Sequence, residues 1–324
     1  MELNVVIAIS NREEPYNDIR DRLSKERLET PIELIRSFDR THLSNIIADT
    51  DVILCWNLPD ELFQRAKRLG WIAFATSGID SALTDKLRNS EVILTKATGV
   101  ADIAVAEHTV GLVLMLYRNI HHCMRYQFDE RWARAEAGEG LREVSGSTIG
   151  ILGLGCVGRR ISKYLRAMEA KVFGCDKVRP ENGILDEFYE VDKLDDFLGE
   201  LDCLIVSVPL TDETFHIINN ERLSSMKEGA YIINVARGSV IDEQALVEAL
   251  KSGHLGGIAL DVFEREPLPK ESPLYKHPNC IITPHIAGMT PNYWHRLANQ
   301  FVENLKRFIK GEPLLNLVDK INGF

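Results

Sequence analysis

Four sets of residues in this 324-residue chain have the types and spacing to do chemistry. The first is Gly153-Leu154-Gly155-Cys156-Val157-Gly158, a G-x-G-x-x-G that follows the apolar run Thr148 to Leu152 and opens a helical stretch. Glycines in that context permit a tight turn and a close backbone approach, and the helix N-terminus offers unpaired N–H groups to a pyrophosphate. Asp176 lies 18 residues beyond Gly158 (176 − 158), at the end of the next β-rich run, where a carboxylate can hydrogen-bond a ribose 2′-hydroxyl. Together the loop and Asp176 point to dinucleotide binding. An acidic side chain there repels a 2′-phosphate and favours NAD over NADP. Lys177 and Arg179 follow at once and leave NADP open.

The other three sets each sit just past a strand-like run. Arg237 follows Ile232-Ile233-Asn234-Val235-Ala236, Glu266 closes Asp261 to Pro267, and His285 ends Ile281-Ile282-Thr283-Pro284-His285. Ligands of open α/β sheets bind outside the carboxyl ends of the strands, so these three side chains would share one crevice. An arginine fork holds a carboxylate and polarises the carbonyl beside it. An imidazole exchanges a hydroxyl proton near neutrality, and a glutamate beside it fixes the ring and favours its charged form. That set is what hydride transfer to a 2-keto acid requires. Singly, Arg237 reads equally as a surface ion pair, Glu266 as a loop charge and His285 as a helix N-terminal residue.

The elements that must position these groups are short β-branched runs alternating with helix-period stretches. In the first hundred residues the runs are Leu3–Ile9, Ile32–Phe38, Asp51–Trp56, Trp71–Thr76 and Glu91–Thr95. A second series comprises Thr148–Leu154, Lys171–Asp176, Cys203–Pro209, Ala230–Ala236, Gly256–Asp261 and Cys280–Thr283. Strands alternating with helices imply parallel sheets covered on both faces, hence an α/β chain of two doubly wound domains. Between the series, Ile103–Ile120 reads as a helix apolar on almost every side, which must be buried between domains or against a partner chain. Pro291–Lys310 returns to helix periodicity.

Composition sets the outer limits. Hydrophobic residues at 45% and charged residues at 27% exclude a disordered or collagen-like chain. The net charge of −10 disfavours nucleic acid and anionic membrane surfaces as partners. Cys55, Cys123, Cys156, Cys175, Cys203 and Cys280 are scattered without a C-x-x-C pair, so neither a metal site nor a disulfide framework is expected. With no leader-like start and no run near the ~20 residues a spanning helix needs, a cytoplasmic protein is expected.

Four blocks carry a resemblance: Gly146 to Gly158, Ile233-Asn-Val-Ala-Arg-Gly-Ser239, Leu260 to Pro267 and Thr283-Pro-His-Ile-Ala-Gly288, with Val105-Ala-Glu-His-Thr109 before them. In this order they resemble the D-isomer-specific 2-hydroxyacid dehydrogenases, and the tail from Gly311 is most similar to the glyoxylate/hydroxypyruvate reductase A branch. The resemblance implies a Rossmann cofactor domain, 100–286, inserted in a flavodoxin-like substrate domain, 1–99 plus 287–324, with hinges near Gly99 and Gly288. It implies that Arg237 binds substrate, that His285 is the acid/base and that Glu266 is its partner. Gly153, Gly155 and Gly158 would form the phosphate loop, with Cys156 and Val157 offering backbone to the pyrophosphate. Asp176 would take the adenosine ribose, and Val208, Pro209 and Thr214 would line the adenosine side. Val235, Ala236 and Asp261 would face the nicotinamide end, and the backbone of Ser77 and Gly78 would meet the substrate carboxylate. The branch often carries basic residues where this chain has Asp176, so its NADP habit need not transfer.

Other residues have plainer readings. Trp56 would wall the substrate pocket or pack in the core, and Trp294 has the same ambiguity. His121 and His122 are expected to face solvent, and Arg118, Arg125, Arg131 and Arg134 to form a solvated face. A homodimer through the 101–120 helix is expected. The activity implied is NAD(P)H-dependent reduction of a small 2-keto acid to the D-2-hydroxy acid. The alternatives are a cofactor-sensing scaffold or corepressor on the same fold, and a phosphoglycerate- or erythronate-type dehydrogenase.

Overall fold

A computed structural model describes residues 2–37, 39–180 and 183–323. The chain divides into two compact units, Met1–Ala101 with Thr290–Phe324, and Asp102–Met289. Both crossings lie two or three residues beyond the boundaries expected from the sequence.

The first unit holds a five-stranded parallel sheet of β1 (Leu3–Ala8), β2 (Ile32–Arg36), β3 (Val52–Cys55), β4 (Trp71–Phe74) and β5 (Ile93–Thr95). Its order is β2-β1-β3-β4-β5, the flavodoxin-like arrangement. Each strand is trimmed by one or two residues relative to its β-branched run, and Phe38 lies outside the described residues. Alternate side chains feed two cores. Val5, Val52, Leu54 and Trp71 pack on one face, and Val6, Ile53, Cys55 and Ile72 on the other. The first face is closed by the helix Tyr293–Lys310, whose Leu297, Phe301 and Leu305 are buried there. The Trp71 ring stacks on Phe301 at 5.2 Å and its indole N–H donates to Thr95 Oγ1 at 2.9 Å. The C-terminal segment therefore completes a core begun by the N-terminal one.

The second unit carries β6 (Thr148–Leu152), β7 (Lys171–Cys175), β8 (Glu187–Tyr189), β9 (Cys203–Val206), β10 (Ala230–Asn234), β11 (Leu255–Leu260) and β12 (Cys280–Ile282). All pair in parallel in the order β12-β11-β10-β9-β6-β7-β8. The strand order reverses between β6 and β9, which makes a topological switch point beside the glycine loop. Six of these strands are legible as runs. The seventh, β8, has three residues and, among the described residues, pairs with β7 alone.

The apolar helix is Asp102–Tyr117, and it ends where Asn119 takes a left-handed φ of 51°. A second helix, Ile120–Phe128, follows. Ala106, Leu112, Val113 and Leu116 are buried against the sheet with Ile149, Ile151 and Ile161. One expectation is corrected here. His121 is buried, its Nδ1 meeting the Met115 carbonyl oxygen at 3.0 Å. That burial pushes its pKa down to about 4. Among the described residues, no helix is long and apolar enough to cross a membrane.

Candidate active site

The glycine loop leaves β6 and enters the helix Cys156–Ala167, and its three glycines are required for three different reasons. Gly153 has φ +96°, a left-handed turn in which a Cβ would lie 2.8 Å from the backbone of Ser207. At Gly158 a Cβ would lie 2.0 Å from the Gly153 carbonyl oxygen, so only glycine lets helix and strand pack this closely. At Gly155, with an ordinary φ of −69°, a Cβ would meet nothing within 4 Å. The absent side chain at Gly155 therefore serves no internal contact and leaves open space above the helix N-terminus. No side chain caps that helix, and its first turn carries no acidic residue. The N–H groups of Cys156 and Val157 thus present partial positive charge to that space, a fit to a dinucleotide pyrophosphate.

Asp176 follows β7 at the edge of this loop. Its Oδ2 accepts from the Leu154 N–H at 2.5 Å and its Oδ1 from the Lys177 N–H at 2.6 Å. The two bonds fix a half-buried carboxylate beside the loop. Neighbouring cations are committed elsewhere: the Lys177 ammonium pairs with Glu213, and the Arg179 guanidinium lies 5.4 Å over the Phe188 ring. Val208 lies against the loop, its Cγ1 2.8 Å from a Gly153 Cβ position, and Pro209 next to it is exposed. The Thr214 hydroxyl donates to the Pro209 carbonyl oxygen at 2.7 Å and so shapes the turn after β9.

Arg237, Glu266 and His285 follow the adjacent strands β10, β11 and β12 at their carboxyl ends. The structure brings Glu266 and His285 into contact. Nδ1 of His285 meets Glu266 Oε2 at 2.7 Å, and Glu266 Oε1 accepts from the Phe263 N–H at 3.0 Å. The glutamate is held by backbone and in turn holds the ring, with its Nδ1 as the donor. The side chains remain 49% and 36% exposed, and Nε2 has no protein partner among the described residues. His285 also has φ 53°, a left-handed conformation that costs roughly 1–3 kcal/mol and persists only where its surroundings impose it. The Arg237 guanidinium is half-buried, one of its nitrogens donating to the Ala236 carbonyl oxygen at 2.8 Å.

Asp261, expected at the nicotinamide end, organises this edge together with two residues given no role from the sequence, Asn234 and His108. Asn234, 1% exposed, accepts from the Ala236 N–H at 3.0 Å and donates to the Arg237 carbonyl oxygen at 3.0 Å. It thereby shapes the turn that carries Val235, half-buried, and Ala236, buried. Asp261 is 1% exposed and accepts from Thr283 Oγ1, Ile286 N–H and Ala287 N–H at 2.6, 3.0 and 2.9 Å. Its carboxylate is therefore the axle of the turn that displays His285. His108 reaches Thr283 Oγ1 at 3.0 Å. Contacts spanning 175 residues leave no spacing signal to read.

In the first unit, Ser77 and Gly78 follow β4. The Ser77 hydroxyl donates to the Ala97 carbonyl oxygen at 2.7 Å, while neither residue's N–H meets an internal acceptor among the described residues. Trp56, 42% exposed at the end of β3, is not a core residue. Its indole N–H donates to the Ile9 carbonyl oxygen at 2.7 Å, and its ring lies 6.2 Å from Tyr293 and 5.9 Å from Trp294.

Residues 110–287 match the family model for the NAD binding domain of D-isomer specific 2-hydroxyacid dehydrogenases. The chain is 38% identical over 287 residues to a glyoxylate reductase of Thermofilum pendens, covering 87% of this chain and 85% of the relative. It is 33% identical over 295 residues to a D-3-phosphoglycerate dehydrogenase of Methanocaldococcus jannaschii, covering 90% of this chain and 56% of that one. Among solved structures, an NADPH-dependent glyoxylate/hydroxypyruvate reductase of Sinorhizobium meliloti, in complex with NADP and sulfate, superposes with a TM-score of 0.85. Identity there is 28%, over 99% of this chain and 100% of the other.

Proposed function

The chain belongs to the D-isomer specific 2-hydroxyacid dehydrogenase family and is an oxidoreductase, and from that premise we propose that it reduces a small 2-keto acid to the D-2-hydroxy acid in the cytoplasm. The substrate class is that of the glyoxylate reductases it is similar to, glyoxylate or hydroxypyruvate. The observation that carries the proposal is the 2.7 Å pair between His285 Nδ1 and Glu266, which leaves Nε2 available for proton exchange.

The roles follow from the chemistry of the groups. Gly155, Cys156 and Val157 hold the pyrophosphate, Asp176 the adenosine ribose, and Val208, Pro209 and Thr214 the adenosine side. Val235, Ala236 and the Asp261 turn receive the nicotinamide end. A bound reduced nicotinamide supplies hydride. Arg237 anchors the acid and polarises its keto oxygen. In the first unit, the unspent N–H groups of Ser77 and Gly78 are proposed for the substrate carboxylate and Trp56 as a further substrate contact. His285 delivers a proton from Nε2 to the developing alkoxide, while Glu266 stabilises the imidazolium before transfer.

NADH is the preferred donor in this proposal. The Asp176 carboxylate would face a 2′-phosphate, and Lys177 and Arg179 are engaged by Glu213 and Phe188. A homodimer through the 101–120 region is also proposed. Val110, Leu114 and Met115 on that helix are only half-buried, and Phe128 and Trp132 just beyond it are 80% and 94% exposed. Light scattering should give twice the chain mass for the wild type and the chain mass for Phe128→Glu/Trp132→Glu. A monomeric wild type contradicts the dimer.

The test of function is nicotinamide oxidation with NADH, and separately NADPH, against glyoxylate, hydroxypyruvate, pyruvate, phenylpyruvate and 3-phosphohydroxypyruvate. Rapid turnover of glyoxylate or hydroxypyruvate with NADH is the expected result. Turnover confined to 3-phosphohydroxypyruvate would move the assignment to a phosphoglycerate-type enzyme. Silence with intact NADH binding would favour a cofactor-sensing scaffold.

A further inference from the structure

His108 and Thr283 have no part in the chemistry above, yet they are joined to the turn that displays His285. Thr283 has one hydroxyl proton, and it goes to Asp261 Oδ1 at 2.6 Å. The Thr283 oxygen is left as an acceptor for His108 Nε2, 3.0 Å away, so His108 must carry a proton on Nε2. The donors therefore run one way, from imidazole to hydroxyl to a carboxylate whose side chain is 2% exposed. Chains polarised in this manner strengthen one another in a low-dielectric interior.

The end of the chain is what matters for His285. The Asp261 carboxylate also receives the N–H groups of Ile286 and Ala287, and the Asp261 carbonyl oxygen receives the His285 N–H at 2.8 Å. The left-handed backbone of His285 is thus flanked on both sides by bonds to one residue. The helix bearing His108 is itself anchored at its first residue, where Asp102 pairs with Arg160 at 2.8 Å. Arg160 belongs to the helix that the glycine loop opens.

We propose that His108 is a positioning residue for the acid/base: through Thr283 it fixes the Asp261 carboxylate about which the 283–287 turn is wound. This rests on His285 being the acid/base. Without the imidazole donor the Thr283 hydroxyl is free to rotate, Asp261 loses an oriented donor, and the strained turn relaxes away from the geometry that meets Glu266. Small displacements of a proton donor are costly, since misplacement by ~1 Å loses about 100-fold in rate.

The experiment compares His108→Leu, His108→Gln, Thr283→Val and Thr283→Ser in steady-state reduction, with NADH affinity and thermal melting measured alongside. His108→Leu and Thr283→Val should each lose about tenfold or more in kcat, with NADH Kd within about twofold of wild type. The His108→Leu/Thr283→Val double variant should be no worse than either single one, because both break the same chain. His108→Gln and Thr283→Ser, which restore a donor and a hydroxyl, should recover most of the rate. Histidine ¹⁵N spectra provide the readout independent of turnover. They should show His108 protonated at Nε2, and the His285 ring resonances should move in Thr283→Val. Wild-type kcat in His108→Leu, or an unprotonated His108 Nε2, would overturn the proposal. A wild type that reduces no 2-keto acid but shows the Nε2 proton and the His285 shift would overturn the function and leave the positioning intact.

Discussion

Replacing Gly155 by alanine should separate cofactor binding from folding. At this position φ is −69° and ψ −163°, which alanine adopts without strain, and its Cβ would meet no protein atom within 4 Å. Removing glycine's freedom from the unfolded chain is worth about 0.4–1 kcal/mol, and losing glycine as the helix cap costs a similar amount. The two offset, so the melting temperature should stay within about 2 °C of wild type. The new methyl group, however, would fill the space above the N–H groups of Cys156 and Val157. Displacing one charge-assisted hydrogen bond to a phosphate oxygen costs about 1.5–3 kcal/mol, or about 10- to 150-fold in Kd. Gly158→Ala provides the contrast. Its Cβ would lie 2.0 Å from the Gly153 carbonyl oxygen, so it should fail in stability and binding together. The assay is NADH fluorescence titration paired with thermal melting. A Gly155→Ala protein that binds NADH with wild-type affinity would refute the assignment of that open space to the pyrophosphate.

Three further outcomes are expected. His285→Gln should lower kcat by about 10²–10⁴-fold with NADH binding intact, and loss of cofactor affinity instead would sink its role as acid/base. Asp176→Ala should narrow the gap between NADH and NADPH in kcat/KM by about tenfold or more, whereas an unchanged ratio would show that the carboxylate does not read the ribose. The third concerns stability. His121 titrates at about 4 when folded against 6.5 ordinarily, so between those values the unfolded chain binds more protons. Stability should therefore fall as pH drops through that window, by about 1–2 kcal/mol between pH 7 and pH 5. Urea midpoints for wild type and His121→Asn test this, and an identical pH slope in both would contradict it.

How much of this was legible in the sequence depends on the range of the contacts involved. The glycine loop and Asp176 are local features, fixed by a strand-turn-helix and an 18-residue spacing, and both lie where expected. Arg237, Glu266 and His285 stand out because each follows a strand, and parallel pairing brings those strand ends to one edge. What holds them could not be read. Asn234 appears as one more strand residue, and Asp261, Thr283 and His108 come together only through tertiary packing. His121 was misplaced for the same reason: its burial follows from the left-handed Asn119, which no periodicity announces. Strand β8 escaped because three residues cannot show alternation.

The central claim is direct hydride delivery to C2 of a 2-keto acid, with protonation by His285. Reduction of hydroxypyruvate with NADH dideuterated at C4, followed by chiral analysis of the glycerate, tests it most directly. The prediction is D-glycerate carrying one deuterium at C2. An L product, or a C2 position without deuterium, would contradict it.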